Sequence, residues 1–161
     1  MKKSKNIRKD FKNPFKLSMF FLKNMPMGFL NGLKIVEIDD NHASVSVPYN
    51  FLTKNPFKSM YFAVQSMAAE LSSGVIAIEA VTNATVPVSM LVLKMEAEFI
   101  KKARSKIIFT CNDARAIVNT IQNSIETNEG KEIKITSIGK DIEGDIVSKF
   151  YFTWTFKPKK I

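Results

Sequence analysis

A single cysteine, Cys111, is all that this 161-residue chain carries, which excludes an intramolecular disulfide framework and fits a reducing compartment. Histidine is as scarce. With His42 alone and no clustered Cys or His, a zinc site has nothing to be built from, so no metal and no resident cofactor are expected. Long apolar runs are missing too: a membrane span needs roughly 20 such residues, and the stretch Ser59 to Val81 is interrupted by Gln65, Glu70 and Ser72-Ser73-Gly74. A secretory leader is not convincing either, because the apolar run from Leu17 to Leu22 is short, contains Ser18 and is closed by Lys23. These absences lead to the expectation of a cytoplasmic, soluble protein.

What is present suits one domain with a real core. The chain is 45% apolar with thirteen Phe, far from the composition of a disordered segment. Its formal charge of +9 is not spread evenly. Residues 1–23 carry eight Lys or Arg against one Asp, residues 157–161 carry three Lys, and the remainder nets −1. A basic face on the domain body is therefore absent and no nucleic-acid partner is expected. Residues 1–12 read as a basic arm, a solubilising tail in preference to a contact with anionic lipid, and residues 13–161 as a single domain.

The stretch from Ser59 to Val81, SMYFAVQSMAAELSSGVIAIEAV, predicts a helix of about 30 Å. Apolar side chains point in nearly every direction around it, so it belongs inside other structure. Its polar exceptions fall on two arcs at about 100° per residue. Ser59, Ser66, Glu70 and Ser73 form one, and Gln65, Ser72 and Glu79 the other. Glu70 stands mid-helix among apolar neighbours, where burial would raise its pKa and suit it to proton transfer or nucleophilic attack. The alternative is a helix with one wet stripe.

Around that helix the other elements follow in order. Asn13-Pro14 leads into FKLSMFFLKNM, a short helix with Phe15, Met19, Leu22 and Phe20 on an apolar side packed on the core, ended by Pro26 and Gly28. Two strands, Leu33–Asp39 and Ala43–Pro48, meet at Asp39-Asp40-Asn41; the second alternates as a half-buried strand does. His42 belongs to the solvated turn. After the long helix a strand places Leu93, Met95, Ala97 and Phe99 opposite Lys94, Glu96 and Glu98. The Lys101, Lys102, Arg104, Lys106 cluster reads as a hairpin turn into Ile107–Cys111, with phosphate binding as the sharper alternative. A second helix is expected at about 113–127, capped by Asp113 and ended by Asn128 and Gly130. Two final strands, 131–140 and 145–156, form a hairpin, and the row Phe150, Phe152, Trp154, Phe156 is core. The sum is an α+β domain with an antiparallel sheet wrapped around one central helix.

This arrangement, with the strings SMYFAVQSMAAELSSG, CNDARAIVNTIQNSI and DIEGDIVSKFYFTWTFKPKK, resembles the hotdog fold of the thioesterase-like superfamily, and in particular hotdog domains of unknown function related to phenylacetate-pathway thioesterases. Those thioesterases carry an Asn, a His-Gly-Gly six residues on, and an acid nine beyond the His. Here Asn55, Tyr61 and Glu70 stand at these spacings, with Phe62 and Ala63 in place of the glycines. The acid is kept and the His-Gly-Gly is absent.

The resemblance implies an acyl-CoA thioesterase whose site lies at a dimer interface, with Glu70 as general base or nucleophile. Backbone N–H groups near Ser59, Met60 and Tyr61 would hold the oxyanion. Asn55, Gln65 and Ser66 would complete the substrate contacts, and Lys101, Lys102 and Arg104 would meet the phosphates of coenzyme A, which enters only as part of the substrate. It also implies a homodimer, or a tetramer of two such pairs. The missing His-Gly-Gly motivates the alternative, a non-catalytic hotdog protein that binds an acyl-CoA, a fatty acid or another apolar ligand.

Overall fold

The structure, a computed structural model, describes residues 7–11 and 13–159. Residues 1–6 and 12 of the expected arm lie outside the described residues.

Three short helices come first, α1 (Ile7–Phe11), α2 (Pro14–Asn24) and α3 (Pro26–Leu30). Asn13 caps α2, its side chain accepting from the N–H groups of Phe15 and Lys16, and Pro14 occupies the first turn where no partner for a donor is lost. Pro26 does the same for α3, so it opens a helix instead of only closing one. The packed face of α2 is not the expected one. Leu17 and Phe21 are buried, whereas Phe15, Met19 and Leu22 are exposed. Both sides of this helix are apolar, and periodicity could not say which would be covered.

Strands β1 (Lys34–Ile38) and β2 (Ala43–Val47) form an antiparallel pair. Every residue of β2 is buried, which departs from the expected half-buried strand: Ser44 and Ser46 are covered as well, and the Ser44 hydroxyl is hydrogen-bonded to that of Thr110. The central helix α4 runs from Phe62 to Asn83. It starts three residues after the expected cap at Ser59, because the preceding residues are tied elsewhere: Met60 bridges to Lys54, its N–H donates to Ala103 O (2.7 Å), and the Tyr61 N–H donates to Thr53 O (2.8 Å).

Beyond α4 come β3 (Val88–Phe99), β4 (Ile107–Cys111), α5 (Ala114–Thr127), β5 (Lys131–Lys140) and β6 (Ile146–Pro158). The six strands form one antiparallel sheet in the order β1-β2-β4-β5-β6-β3. The segment 100–106 is therefore no hairpin turn, since it carries the chain from the outer edge at β3 to β4 between β2 and β5. Asp113 precedes α5 without capping it; its carboxylate accepts from the Thr136 N–H instead. Asn128 closes α5 in the left-handed conformation, as a C-terminal Asn can.

The sheet curves around α4, and the aromatic row of β6 lies in the core with Phe150, Phe152, Trp154 and Phe156 buried. Burying each such side chain contributes roughly 1.5–3 kcal/mol. This is the α+β hotdog fold, with its sheet wrapped on a long central helix. Helix α4 packs chiefly on β2, β4 and β5 and barely meets β3. The consequence is an uncovered strip: Met95, Ala97 and Phe99 share a face with Phe152, Phe150 and Ser148 of the neighbouring strand yet remain exposed. A bulge at Val92/Lys94 removes Leu93 from that alternation, so it does not join Met95 as the even spacing suggested.

Candidate functional site

The two polar arcs of α4 do different things. Gln65, Ser72 and Glu79 are structural: Gln65 accepts from the Ser148 hydroxyl (2.9 Å) and donates to Met60 O, Ser72 is hydrogen-bonded to the Ser137 hydroxyl (2.8 Å), and Glu79 pairs with Arg8 of α1. The other arc faces β3 and β6. Ser66 donates to the Met95 sulfur, and Ser73 accepts from the Trp154 indole N–H (3.0 Å).

Glu70 stands between those two serines with no ion pair or hydrogen bond from its carboxylate to any described residue. It is half-buried, and loss of solvation pushes its pKa up to about 7. A carboxylate in that state is divided between its acid and base forms at neutral pH, which is what a general acid–base needs. It lies over Gly74, one turn on, whose other side-chain neighbour is the Trp154 ring.

At the start of α4 the structure brings together most of the other expected residues. Asn55, Ser59, Met60 and Gln65 line a groove of about 420 Å³ with Phe57, Phe62, Phe99 and the segment 100–103. Their polar atoms are largely committed to the fold. The Asn55 Oδ1 accepts from the Phe57 and Ser59 N–H groups and from the Ser59 hydroxyl, and its amide donates to Met60 O. The N–H groups of Ser59, Met60 and Tyr61 all donate within the protein, so none of the three is left to hold an oxyanion. Among the described residues, the Phe62 and Ala63 N–H groups have no acceptor, as the first turn of a helix requires. The signal for them was present in the sequence, since Phe62 and Ala63 stand where the resemblance noted above would place two glycines. Tyr61 is exposed, its ring edge-on to Phe62.

Of the three cations, Lys101 is engaged. Its ammonium lies 2.6 Å from Asp145, 2.9 Å from Asp141 and 3.4 Å from Glu143, and the hydrogen bonds to Asp145 and Asp141 raise its pKa. Lys102 and Arg104 are exposed. Cys111 is fully buried, and burial pushes its thiol up to about 12.

A 420 Å³ apolar groove also lies between α2 and β1, lined by Leu17, Phe21, Leu33 and Ile38, on the sheet edge opposite β3. No helix among the described residues is long and apolar enough to cross a membrane.

No curated protein matches the chain. Solved structures match along nearly its whole length. A protein of unknown function from Pseudomonas aeruginosa, described as a probable thioesterase, superposes with a TM-score of 0.73 at 14% identity, over 91% of this chain and 97% of that one. A protein of unknown function from Chlorobaculum tepidum gives a TM-score of 0.74 at 14% identity over 91% and 97%. A thioesterase from Haemophilus influenzae gives 0.64 at 12% identity over 91% of each. At such identities the likeness is one of fold. The family profile described as "Domain of unknown function (DUF4442)" matches residues 15–156, most of the chain, and the chain belongs to that family.

Proposed function

We propose that this chain hydrolyses an acyl thioester, with acyl-CoA as the substrate class and Glu70 as the group that activates water. The observation that carries the reading is Glu70 itself, a carboxylate with no partner among the described residues and a pKa near neutrality, on the side of the central helix that faces an uncovered apolar strip.

Within one copy the site is incomplete. Phe62 and Ala63 precede Glu70 by eight and seven residues, about 10–12 Å along the helix axis. A base and an oxyanion donor must both lie within about 3 Å of the same reacting group. Glu70 of one copy therefore works with the α4 start of a second, and the free edge at β3 is the surface on which the copies join as a homodimer. Glu70 takes a proton from water, the hydroxide adds to the thioester carbon, and the oxyanion rests on the Phe62 and Ala63 N–H groups. The C–S bond then breaks and the thiolate takes the proton back from Glu70. The acyl chain runs against Met95 and Phe99, while Lys102 and Arg104 meet the phosphates.

The alternative of a non-catalytic binder is favoured by one feature: Phe62 puts a large side chain where the related thioesterases have glycine. Thiol release from a panel of short, medium, long and aromatic acyl-CoA substrates separates the two. Hydrolysis that Glu70→Ala abolishes is the expected result. Inactivity across the panel, with an acyl ligand copurifying, would sink the enzyme in favour of the binder.

A further inference from the structure

Helix α2 is apolar on two sides and only one of them is covered. Leu17 and Phe21, at 8% and 2% exposure, face the groove against β1, while Phe15, Met19 and Leu22 are exposed at 75%, 52% and 55%. At about 100° per residue the latter three fall within an arc of about 60°. The exposure continues into α3, where Met27 and Leu30 are each 57% exposed. Single exposed apolar residues are ordinary, but five on two consecutive helices are the kind of exposure that marks a docking site.

Charge identifies the partner. Residues 1–23 carry eight Lys or Arg against one Asp, while the chain between residues 24 and 156 nets −1. An apolar helical face set within a strongly basic segment is the pattern of a helix that lies in the interface of an anionic bilayer, with its apolar side chains at the acyl boundary and cations at the phosphates. We propose that α2 and α3 dock this protein on an anionic lipid surface through Phe15, Met19, Leu22, Met27 and Leu30.

Length argues that the helix lies on the membrane and does not cross it: eleven residues span about 16 Å, about half of a hydrocarbon core. RNA fits less well, since four of the five side chains are aliphatic or thioether groups with no ring to stack on a base. A second copy joined at β3 would leave the face open, because α2 packs beside β1 at the other edge of the sheet. The inference does not depend on the thioester reading.

Flotation of the full chain tests it, with phosphatidylcholine vesicles and with vesicles containing 30 mol% phosphatidylglycerol as probes. Binding to the anionic vesicles is expected to be at least 10-fold tighter and to weaken as salt rises. Phe15→Ser/Met19→Ser/Leu22→Ser should lower it at least 10-fold with the oligomer size by light scattering unchanged. Lys23→Glu, which keeps the apolar face, should lower it severalfold and covers the case in which the triple variant misfolds. No binding of the unaltered chain overturns the proposal. So does unchanged binding of both variants, loss of an oligomer in the triple variant, or retention of RNA in place of vesicles.

Discussion

The carboxylate of Glu70 and the backbone of Gly74 face each other across one helical turn, so closely that a Cβ at position 74 would stand 3.1 Å from Glu70 Oε1 and 3.7 Å from the Trp154 ring. A glycine inside a helix costs about 1 kcal/mol relative to alanine. Here it leaves room beside the acid.

Gly74→Ala should therefore separate stability from activity. The methyl group meets the far end of a flexible side chain, which can swing away cheaply, so helix propensity leaves stability the same or higher by up to about 1 kcal/mol. The displaced carboxylate should lower thioester hydrolysis by about 10-fold or more, because ångström-scale misplacement is that costly. Calorimetry and steady-state kinetics on the same sample check both halves.

Glu70 should oppose folding above neutral pH. Its folded pKa, about 7, lies above the ordinary carboxylate value of 4.5, so between these two pH values the folded state holds the extra proton. Stability then falls as pH rises through this window and levels off above it, by on the order of 1–3 kcal/mol. Glu70→Gln should raise the melting temperature at pH 8 and leave it nearly unchanged at pH 4.5, while hydrolysis by the unaltered protein climbs with pH through about 7. A melting series at both pH values checks the sign.

Gly139→Ala should destabilise the fold without touching the site. Gly139 pairs with Phe109 across β4 and β5, and the Phe109 ring lies over it where a Cβ would have to go. The ring is fully buried, so it cannot move aside, and overpacking of this kind costs about 1–3 kcal/mol. Urea unfolding should show a lower midpoint with an unchanged slope.

The basic cluster should divide by partner. Lys101 is neutralised by Asp141 and Asp145, so Lys101→Gln should leave the KM for acyl-CoA within about 2-fold, the range of a screened surface charge. Lys102→Gln/Arg104→Gln should raise it about 3-fold or more at low salt. Kinetics at two ionic strengths tell a phosphate contact from a change of fold, since only the former fades as salt rises.

Much of the fold was legible because local periodicity reports it. The alternation of Phe150, Phe152, Trp154 and Phe156 marked a strand with one buried face, and those residues are in the core. Spacing on α4 also sorted its polar residues into two arcs, one of which is structural. What the spacing could not separate was Glu70 from a solvated stripe, since the difference is the absence of any partner, a matter of what other elements bring near. The helix start was misplaced for the same reason: Ser59 is a sound cap by composition, but residues 59–61 are held by Asn55, Ala103 and Thr53.

By itself, then, the sequence determined the kinds of element, the long apolar helix and the aromatic strand that must surround it, because hydrophobic period and turn chemistry act over a few residues. Only the tertiary structure decided which apolar face of α2 is covered, that β3 is an open edge, and that Glu70 stands beside Gly74 with no partner among the described residues. Each of these depends on contacts between residues far apart in the chain, where two arrangements satisfy the same local pattern and only strand order and packing choose between them.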